Sequence, residues 1–205
     1  MLRGTYKKSN KLVVAKTIRP SLQDQIQVLK TQVNRNKPEI QWFRGDGTIT
    51  SVLPTAVDLN TVNITSSIIA SSDFRNNVIG DIWTNIALSM RFYVNPDCSH
   101  FRYVIYVPKK TGTIFAPTQH QFVRIPDPSA FWILADNTCT TDTATNFKGQ
   151  RAFNKTVRLN RLKSVYNTSS SVLERGEIKV LIMTLGRTAG EQALDYSFNL
   201  TYSNK

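Results

Sequence analysis

The side chains that could carry out catalysis or bind a metal ion are few, and they do not form a recognisable set. Two cysteines, Cys98 and Cys139, and two histidines, His100 and His120, have the composition of a zinc site, but Cys-x-His lacks the usual spacing of a chelating pair. No Gly-x-Ser-x-Gly, Gly-x-Gly-x-x-Gly, phosphate-binding-loop or His-Glu-x-x-His motif occurs. We predict no enzyme, no cofactor and no metal site, with half-buried cysteines and with the histidines on loops.

The acidic side chains do not form a recognisable catalytic or metal-binding set either. Asp127, Asp136 and Asp142 are scattered over predicted loops and could at most hold Ca²⁺ at a subunit contact, since that ion prefers clustered oxygen ligands. Arg44-Gly45-Asp46 is an integrin-binding tripeptide, but Asp46-Gly47 between two apolar segments is also a hairpin signal. We therefore predict a turn at this position.

Basic side chains are the residues whose number and placement indicate a function. Lys and Arg total 26 against 14 Asp and Glu, and a formal charge of +12 favours a polyanionic partner, nucleic acid before an anionic membrane. Residues 1–44 hold ten basic and two acidic groups, which gives this segment a net charge of +8. Its leading basic residues are predicted to contact phosphates without regard to base sequence: Arg3, Lys7, Lys8, Lys11, Lys16 and Arg19.

A second basic segment, residues 148–163, contains six basic groups and no acidic group. Two interpretations of it remain open. In one, Phe147, Phe153 and Tyr166 stack on bases, as aromatic residues do in single-strand binding proteins. In the other, the segment is an ordinary strand whose aromatic residues fill the core. The first interpretation predicts nucleic-acid contacts from Lys148, Arg151, Lys155 and Arg158, with Arg161 and Lys163 completing the segment.

The elements that position these residues begin with one helix. Leu22, Ile26, Leu29 and Val33 are spaced as one face of a helix near residues 21–34. Ser21 is the expected N-cap, and a carboxylate three residues later can return a hydrogen bond in a capping box. A helix this short is marginal alone, so we expect it to pack on its own domain or on the arms of other copies.

From residue 40 onward, apolar residues alternate as in half-buried strands. In the segment 82–94, the even-numbered residues from Ile82 to Phe92 are expected on the buried face, with Asn85, Ser89 and Arg91 opposite them. The turn sequence at 95–97 predicts a hairpin with 101–107. The predicted strands are 40–43, 48–53, 64–69, 82–94, 101–107, 131–135, 156–165, 178–185 and 194–202, with loops at 108–130 and 136–150.

These segments amount to about eight or nine short strands, which indicates an all-β fold. We predict an antiparallel eight-stranded jelly-roll sandwich over residues 39–205, preceded by a basic N-terminal arm, residues 1–38, that contains the short helix. The longest apolar runs are too short to span a bilayer, and no secretory signal precedes the arm, so we expect a soluble protein of a reducing compartment without membrane contact.

The order of these features resembles the single-jelly-roll coat proteins of the smallest icosahedral viruses, namely satellite-necrosis-type viruses and circular, Rep-encoding single-stranded DNA viruses. The resemblance spans most of the chain. It rests on the basic arm and its helix, Phe74-Arg75 and Gly80-Asp81 before the long strand, the segment from Phe131 to Asp136, and the basic segment followed by two closing strands.

The resemblance implies a viral capsid protein that assembles with itself into a T=1-like shell of sixty copies. Its arms would turn inward onto a single-stranded genome, with DNA expected. The protein would then occur in the virion and, during assembly, inside the host cell, where a Lys- and Arg-rich arm would suit a nuclear address. Two rival classes remain: a non-viral single-stranded nucleic-acid-binding β-barrel, and a carbohydrate-binding β-sandwich.

Overall fold

A computed structural model describes residues 21–35, 39–50, 58–71, 81–96, 98–110, 114, 122–140, 152–167, 169, 172–186 and 190–204. The chain divides into two units, Met1–Lys37 and Pro38–Lys205. The described elements are α1 (Leu22–Arg35), β1 (Ile40–Thr50), β2 (Asp58–Asn63), α2 (Ile64–Ala70), β3 (Ile82–Val94), β4 (Cys98–Pro108), β5 (Phe131–Thr140), β6 (Ala152–Asn167), β7 (Val172–Arg175), β8 (Lys179–Gly186) and β9 (Gln192–Ser203).

The predicted helix is present with the predicted cap. The backbone N–H of Asp24 donates to Ser21 Oγ over 3.1 Å, and the backbone N–H of Ser21 donates to Asp24 Oδ2 over 3.1 Å, which together form a capping box. The apolar residues of the stripe are exposed: Leu22 by 72%, Ile26 by 43% and Leu29 by 58%. The helix of the first unit therefore presents an apolar face to solvent.

The body consists of two antiparallel sheets. One sheet has five strands in the order β1-β9-β3-β6-β7, and the other has four in the order β2-β8-β4-β5. Apart from β7, the pairing is nested: β1 pairs with β9, β2 with β8, β3 with β6 and β4 with β5. A long hairpin wound on itself produces this order, which is that of the jelly roll.

The described strands number nine, and the predicted eight was therefore wrong. The additional strand, β7, is a four-residue return of β6 at the edge of the larger sheet. Gly176, with φ of +75°, follows it, and a Cβ at this position would lie 2.0 Å from the carbonyl oxygen of Lys163. Only glycine suits such a close backbone approach in the left-handed region.

The core lies between the two sheets. Leu88, Met90 and Phe92 of β3 are buried, and so are the alternate residues from Phe101 to Val107 of β4 on the facing sheet. The Phe92 ring stacks on Tyr103 with 4.8 Å between centroids. The outer face of the smaller sheet carries a second apolar cluster, so β8 is buried on both faces, as its continuous apolar run predicts.

The predicted hairpin between 82–94 and 101–107 was wrong. These segments are consecutive, but β3 pairs with β6 and β9, whereas β4 pairs with β5 and β8 in the other sheet. Their apolar faces meet across the core instead of lying side by side. A tight turn cannot distinguish a hairpin from a chain that crosses between the layers of a sandwich.

The predicted turn at Asp46-Gly47 was also wrong, because β1 runs without interruption from Ile40 to Thr50. Gly45 pairs with Phe198 and Gly47 with Tyr196 on β9. A Cβ at Gly45 would lie 2.5 Å from the Phe198 ring, and one at Gly47 would lie 2.5 Å from the Tyr196 hydroxyl oxygen. These glycines therefore make room for aromatic rings within a sheet and do not form a turn.

The segment predicted as a strand at 64–69 is helix α2. Ile64 and Ile68, one turn apart, are fully buried, and Thr65 Oγ1 accepts a hydrogen bond from the Ile178 N–H over 2.9 Å. The Ser66 hydroxyl donates to Glu177 over 2.8 Å. A run this short does not distinguish a strand from a helix by periodicity, and its contacts decide between them.

The assignment of the two faces of β3 was correct only beyond residue 87. An irregularity lies between Asn85 and Ala87, where three residues of β6, 159–161, are opposite one residue of β3, and it shifts the alternation by one residue. Trp83 and Asn85 are consequently buried, and Ile82 is 50% exposed. The Asn85 amide is satisfied there: it donates to Ser164 Oγ over 2.7 Å and accepts from the Trp83 indole over 3.1 Å.

Two further expectations were wrong. His100 lies in β4 and not on a loop, and residues 136–140 continue β5, because they pair with β4 up to His100 and Thr140. Neither cysteine forms a disulfide, and the expectation that they are half-buried was also wrong: Cys98 is fully buried and Cys139 is 8% exposed. No helix in the part of the chain that the structure describes could cross a membrane. The described residues contain no cluster of metal-ligating side chains.

Candidate nucleic-acid interface

Most of the predicted phosphate contacts lie outside the described residues: Arg3, Lys7, Lys8, Lys11, Lys16, Arg19, Lys148 and Arg151. Lys155 and Arg158 are described, and both belong to β6. Lys155 pairs with the buried Met90 and is half-buried on the core-facing side, whereas Arg158 pairs with Ala87 and is exposed on the outer side. The structure therefore does not bring these two residues to one face.

The aromatic residues of the basic segment belong to the core. The Phe153 ring meets Phe101 edge-on with 5.0 Å between centroids, and Tyr166 also packs against the main cluster. Phe147 lies outside the described residues. Of the two open interpretations, the ordinary strand applies to Phe153 and Tyr166, which are not available for stacking on bases.

A different set of cations meets on the outer face of the larger sheet, across β1, β9, β3 and β6. The register of the four strands aligns their outward-facing residues in rows, with one residue from each strand. Five rows are Ile40–Ser203–Thr84–Lys163, Trp42–Thr201–Ala87–Arg158, Arg44–Asn199–Ser89–Thr156, Asp46–Ser197–Arg91–Asn154 and Thr48–Asp195–Tyr93–Ala152. We call this surface the arginine face.

The arginine face holds four exposed cations, Arg44, Arg91, Arg158 and Lys163, against Asp46 and Asp195. Within the described part of the chain, none of the four takes part in a salt bridge. Asp195 already accepts a hydrogen bond from the Thr48 hydroxyl over 2.8 Å, and another from Gln192. Burial, reinforced by the charge of Asp46, raises the pKa of Tyr196, so its hydroxyl adds no negative charge.

A groove runs over the centre of this face. One part, with a volume of about 510 Å³, is lined by Arg44, Asp46, Ser89, Arg91, Ser197 and Asn199, together with Gly45 and Phe198. Its continuation is lined from Arg91 to Tyr93, by Asn154 and by the carboxylate residue Asp195. The groove therefore places two guanidinium groups beside hydroxyl and amide groups, which can all donate hydrogen bonds to an anion.

Two exposed aromatic side chains lie near the groove: Tyr93, 47% exposed, lines it, and Trp42, 62% exposed, lies in the row next to that of Arg44. Trp42 shares a row with Arg158, and Tyr93 is two residues from Arg91. Sequence reasoning missed Arg44, Arg91, Trp42 and Tyr93 as candidate site residues. Alternation along each strand could indicate their exposure, but only the pairing of β1 and β3 with β9 brings them together.

The bulge in β6 adds one more cation. Asn160 and Arg161 are consecutive residues with positive φ, 46° and 61°, and both are exposed. Asparagine tolerates this conformation, but a long side chain such as arginine pays about 1–2 kcal/mol for it. The fold thus holds Arg161 in an unfavourable backbone conformation, at a position that follows Arg158 along the edge of the arginine face.

On the smaller sheet, the described outer-face cations form salt bridges within the fold. On its outer face, Arg102 is buried and makes a two-point salt bridge to Asp136, with Nε to Oδ1 at 2.7 Å, and a further hydrogen bond to the carbonyl of Arg124 at 2.8 Å. Lys179 pairs with Glu177 at 3.1 Å. The described outer-face cations are therefore neutralised within the fold on this sheet and left unpaired on the other.

No protein-family model and no curated protein matches the chain. Among solved structures, it is similar to a chain of turnip yellow mosaic virus at 11% identity, covering 82% of this chain and 94% of that chain with a TM-score of 0.46. It is similar to a chain of Desmodium yellow mottle tymovirus at 12% identity, with 82% and 89% coverage and a TM-score of 0.41. A Kashmir bee virus empty particle gives 10% identity, 82% and 91% coverage and a TM-score of 0.42.

Proposed function

We propose that this protein is a viral capsid protein that assembles with itself into a small closed shell and packages a single-stranded genome. One observation carries the proposal: a segment with a net charge of +8 precedes a sandwich whose remaining residues contribute only +4. The sandwich has the nested strand order of a jelly roll, an architecture used by capsid domains. We call the basic N-terminal arm, residues 1–38, the leader. The near-neutral body would form the shell, and the leader would neutralise the phosphates of the genome.

The shell would be T=1-like with sixty copies, and single-stranded DNA is the expected genome. Sixty copies of +12 amount to roughly 720 positive charges, enough to offset a large share of the phosphates of a small genome. Neighbouring copies would meet through heterologous contacts that close by symmetry. Such contacts could also cover the edge strands, which otherwise invite random pairing.

The leader and the second basic segment would provide the packaging contacts, through Arg3, Lys7, Lys8, Lys11, Lys16, Arg19, Lys148, Arg151, Lys155 and Arg158. The virion is the expected location, with assembly inside the host cell. The rival for single-stranded nucleic acid would be an oligonucleotide-binding fold, a partly open Greek-key barrel of five strands. The described strands instead form two separate sheets of five and four, which favours the capsid.

Sedimentation and negative-stain imaging of the purified full chain test the proposal. Particles of uniform size with co-purifying nucleic acid are expected, and a strictly monomeric protein at every salt and pH tried would contradict the proposal. Deleting residues 1–20 removes six basic and no acidic groups, half of the net charge. We expect this deletion to lower packaged nucleic acid more than particle yield, and equal nucleic-acid content in both particles would refute the role of the leader.

A further inference from the structure

We infer that the arginine face is a second nucleic-acid-binding surface, built by the folded body and specific for single strands. Phosphates would lie on Arg44, Arg91 and Arg158, and unpaired bases would stack on Trp42 and Tyr93. The inference rests on the proposed function, because it takes the genome as the ligand. It adds a site on β1 and β3 to the predicted contacts; of the two predicted contacts that the structure describes, Lys155 and Arg158, Arg158 lies on this face.

Charge is the first support. The four cations of the face are exposed and have no salt-bridge partner in the described part of the chain, whereas Arg102 and Lys179 on the smaller sheet are paired. An unpaired cluster of like charges repels itself and is stabilised when an anion binds. Guanidinium groups also bind phosphate by two parallel hydrogen bonds, which favours this ligand over a simple counterion.

Shape and stacking are the second support. Tyr93 lines the groove, and Trp42 lies on the same face in the row next to that of Arg44; their rings are 47% and 62% exposed. Every base offers a flat surface for stacking on such rings, but only in a single strand are the bases free to do so. Exposed aromatic residues on the face of a cationic groove therefore indicate a single strand and not a duplex.

The backbone of β6 is the third support. Asn160 and Arg161 keep positive φ values at the bulge, where a glycine would be less strained. Strained residues of this kind concentrate at binding sites. At this bulge the strain holds an exposed arginine beside the row that contains Trp42 and Arg158.

Photo-crosslinking of the full chain to its co-purified nucleic acid, followed by mass spectrometry of the peptides, tests this inference. We expect adducts on Trp42 or Tyr93 in addition to any on the leader. The variant R44Q/R91Q should lower the yield of these adducts severalfold, and R124Q is the matched control, because Arg124 is an exposed arginine beside the other sheet. Adducts that are absent from both rings, or that are unaffected by R44Q/R91Q, would overturn the inference.

Binding of a labelled oligothymidylate of about twenty nucleotides to the full chain gives a second measurement. The slope of log affinity against log salt is negative. Loss of two phosphate contacts in R44Q/R91Q should reduce its magnitude by about 1.4, and R124Q should leave the slope unchanged. W42A/Y93A, which removes both exposed rings, should weaken binding of the oligothymidylate at least about tenfold, with little effect on binding of a duplex of equal length. Equal losses for single strand and duplex would overturn the assignment to single strands.

Sedimentation of the same samples separates the two proposals. Adducts on the arginine face in a protein that forms no particles would refute the capsid proposal and leave the nucleic-acid surface standing. Particles whose nucleic-acid content and adducts are the same in R44Q/R91Q and wild type would refute the surface and leave the capsid proposal standing. Thermal unfolding of each variant confirms that these exposed substitutions leave the fold intact.

Discussion

Replacing Gly45 by alanine should destabilise the sandwich, although alanine is normally the better residue in a strand. The added Cβ would lie 2.5 and 2.6 Å from two carbons of the Phe198 ring, where ordinary contact is 3.4–4 Å. The ring would have to withdraw by about 1 Å. Phe198 is only 6% exposed, and the Phe43 ring stands 5.9 Å away between centroids, so little free space remains.

The expected magnitude follows from two opposing terms. Overpacking a well-packed core costs about 1–3 kcal/mol. Removing the extra flexibility of glycine from a strand contributes about 0.5–1 kcal/mol in the other direction. The two terms leave a net loss in the free energy of unfolding for G45A of about 0–2.5 kcal/mol, centred on about 1 kcal/mol. Urea denaturation at equal protein concentration measures it, and the m-value should be unchanged.

A double-mutant cycle shows whether the clash is the cause. F198L removes the two ring carbons that the new Cβ would meet, so G45A should cost much less in the F198L background, with a coupling energy of about 1 kcal/mol or more. G190A is the control, since Gly190 has no atom within 4 Å but a φ of +83°, and its cost should be the same in both backgrounds. Strict additivity of G45A and F198L, or a G45A variant that is more stable than the wild type, would refute the reasoning.

Three further changes test individual contacts. R161G should stabilise the protein by about 1 kcal/mol in thermal or urea unfolding by relieving the positive φ, and a loss of stability would contradict the assigned strain. D136N should cost about 3 kcal/mol because it removes the carboxylate that neutralises the buried guanidinium group of Arg102, while R102M/D136L should be close to neutral; equal losses in both would contradict this. S21A should cost about 1 kcal/mol of helix stability, seen as faster amide exchange in α1, and unchanged exchange would contradict the capping role.

The sequence predicted elements well wherever one periodicity ran for many residues. The alternation from Leu194 to Tyr202 and the apolar run from Ile178 to Leu185 correspond closely to β9 and β8. The cap of α1 was also predictable, because a serine and a carboxylate three residues later are sufficient to form it. In each case the information lies within the segment itself.

The errors occurred where a distant partner decides the conformation. Asp46-Gly47 has the sequence of a turn, but the rings of Phe198 and Tyr196 require glycine at 45 and 47. Asn85 was expected outside because the irregularity that turns it inward depends on the distant strand β6, which has two more residues than β3 at this point. The arginine face was not predicted for the same reason, since its residues come from strands that are paired only through β9.

The two sheets differ in what balances their outer-face cations. Arg102 of β4 forms a salt bridge to Asp136 of β5 and donates to the backbone carbonyl of Arg124, which lies in the connection between these strands. Its charge therefore stabilises the position of that connection whether or not a ligand is present. Arg44 and Arg91 have no such described partner, and their repulsion lowers the stability of the ligand-free body. A bound polyanion would relieve that repulsion and so stabilise the folded state. Packaging and the stability of the shell would then be linked through the same arginines, and nucleic acid should raise the unfolding temperature of the wild type more than that of R44Q/R91Q.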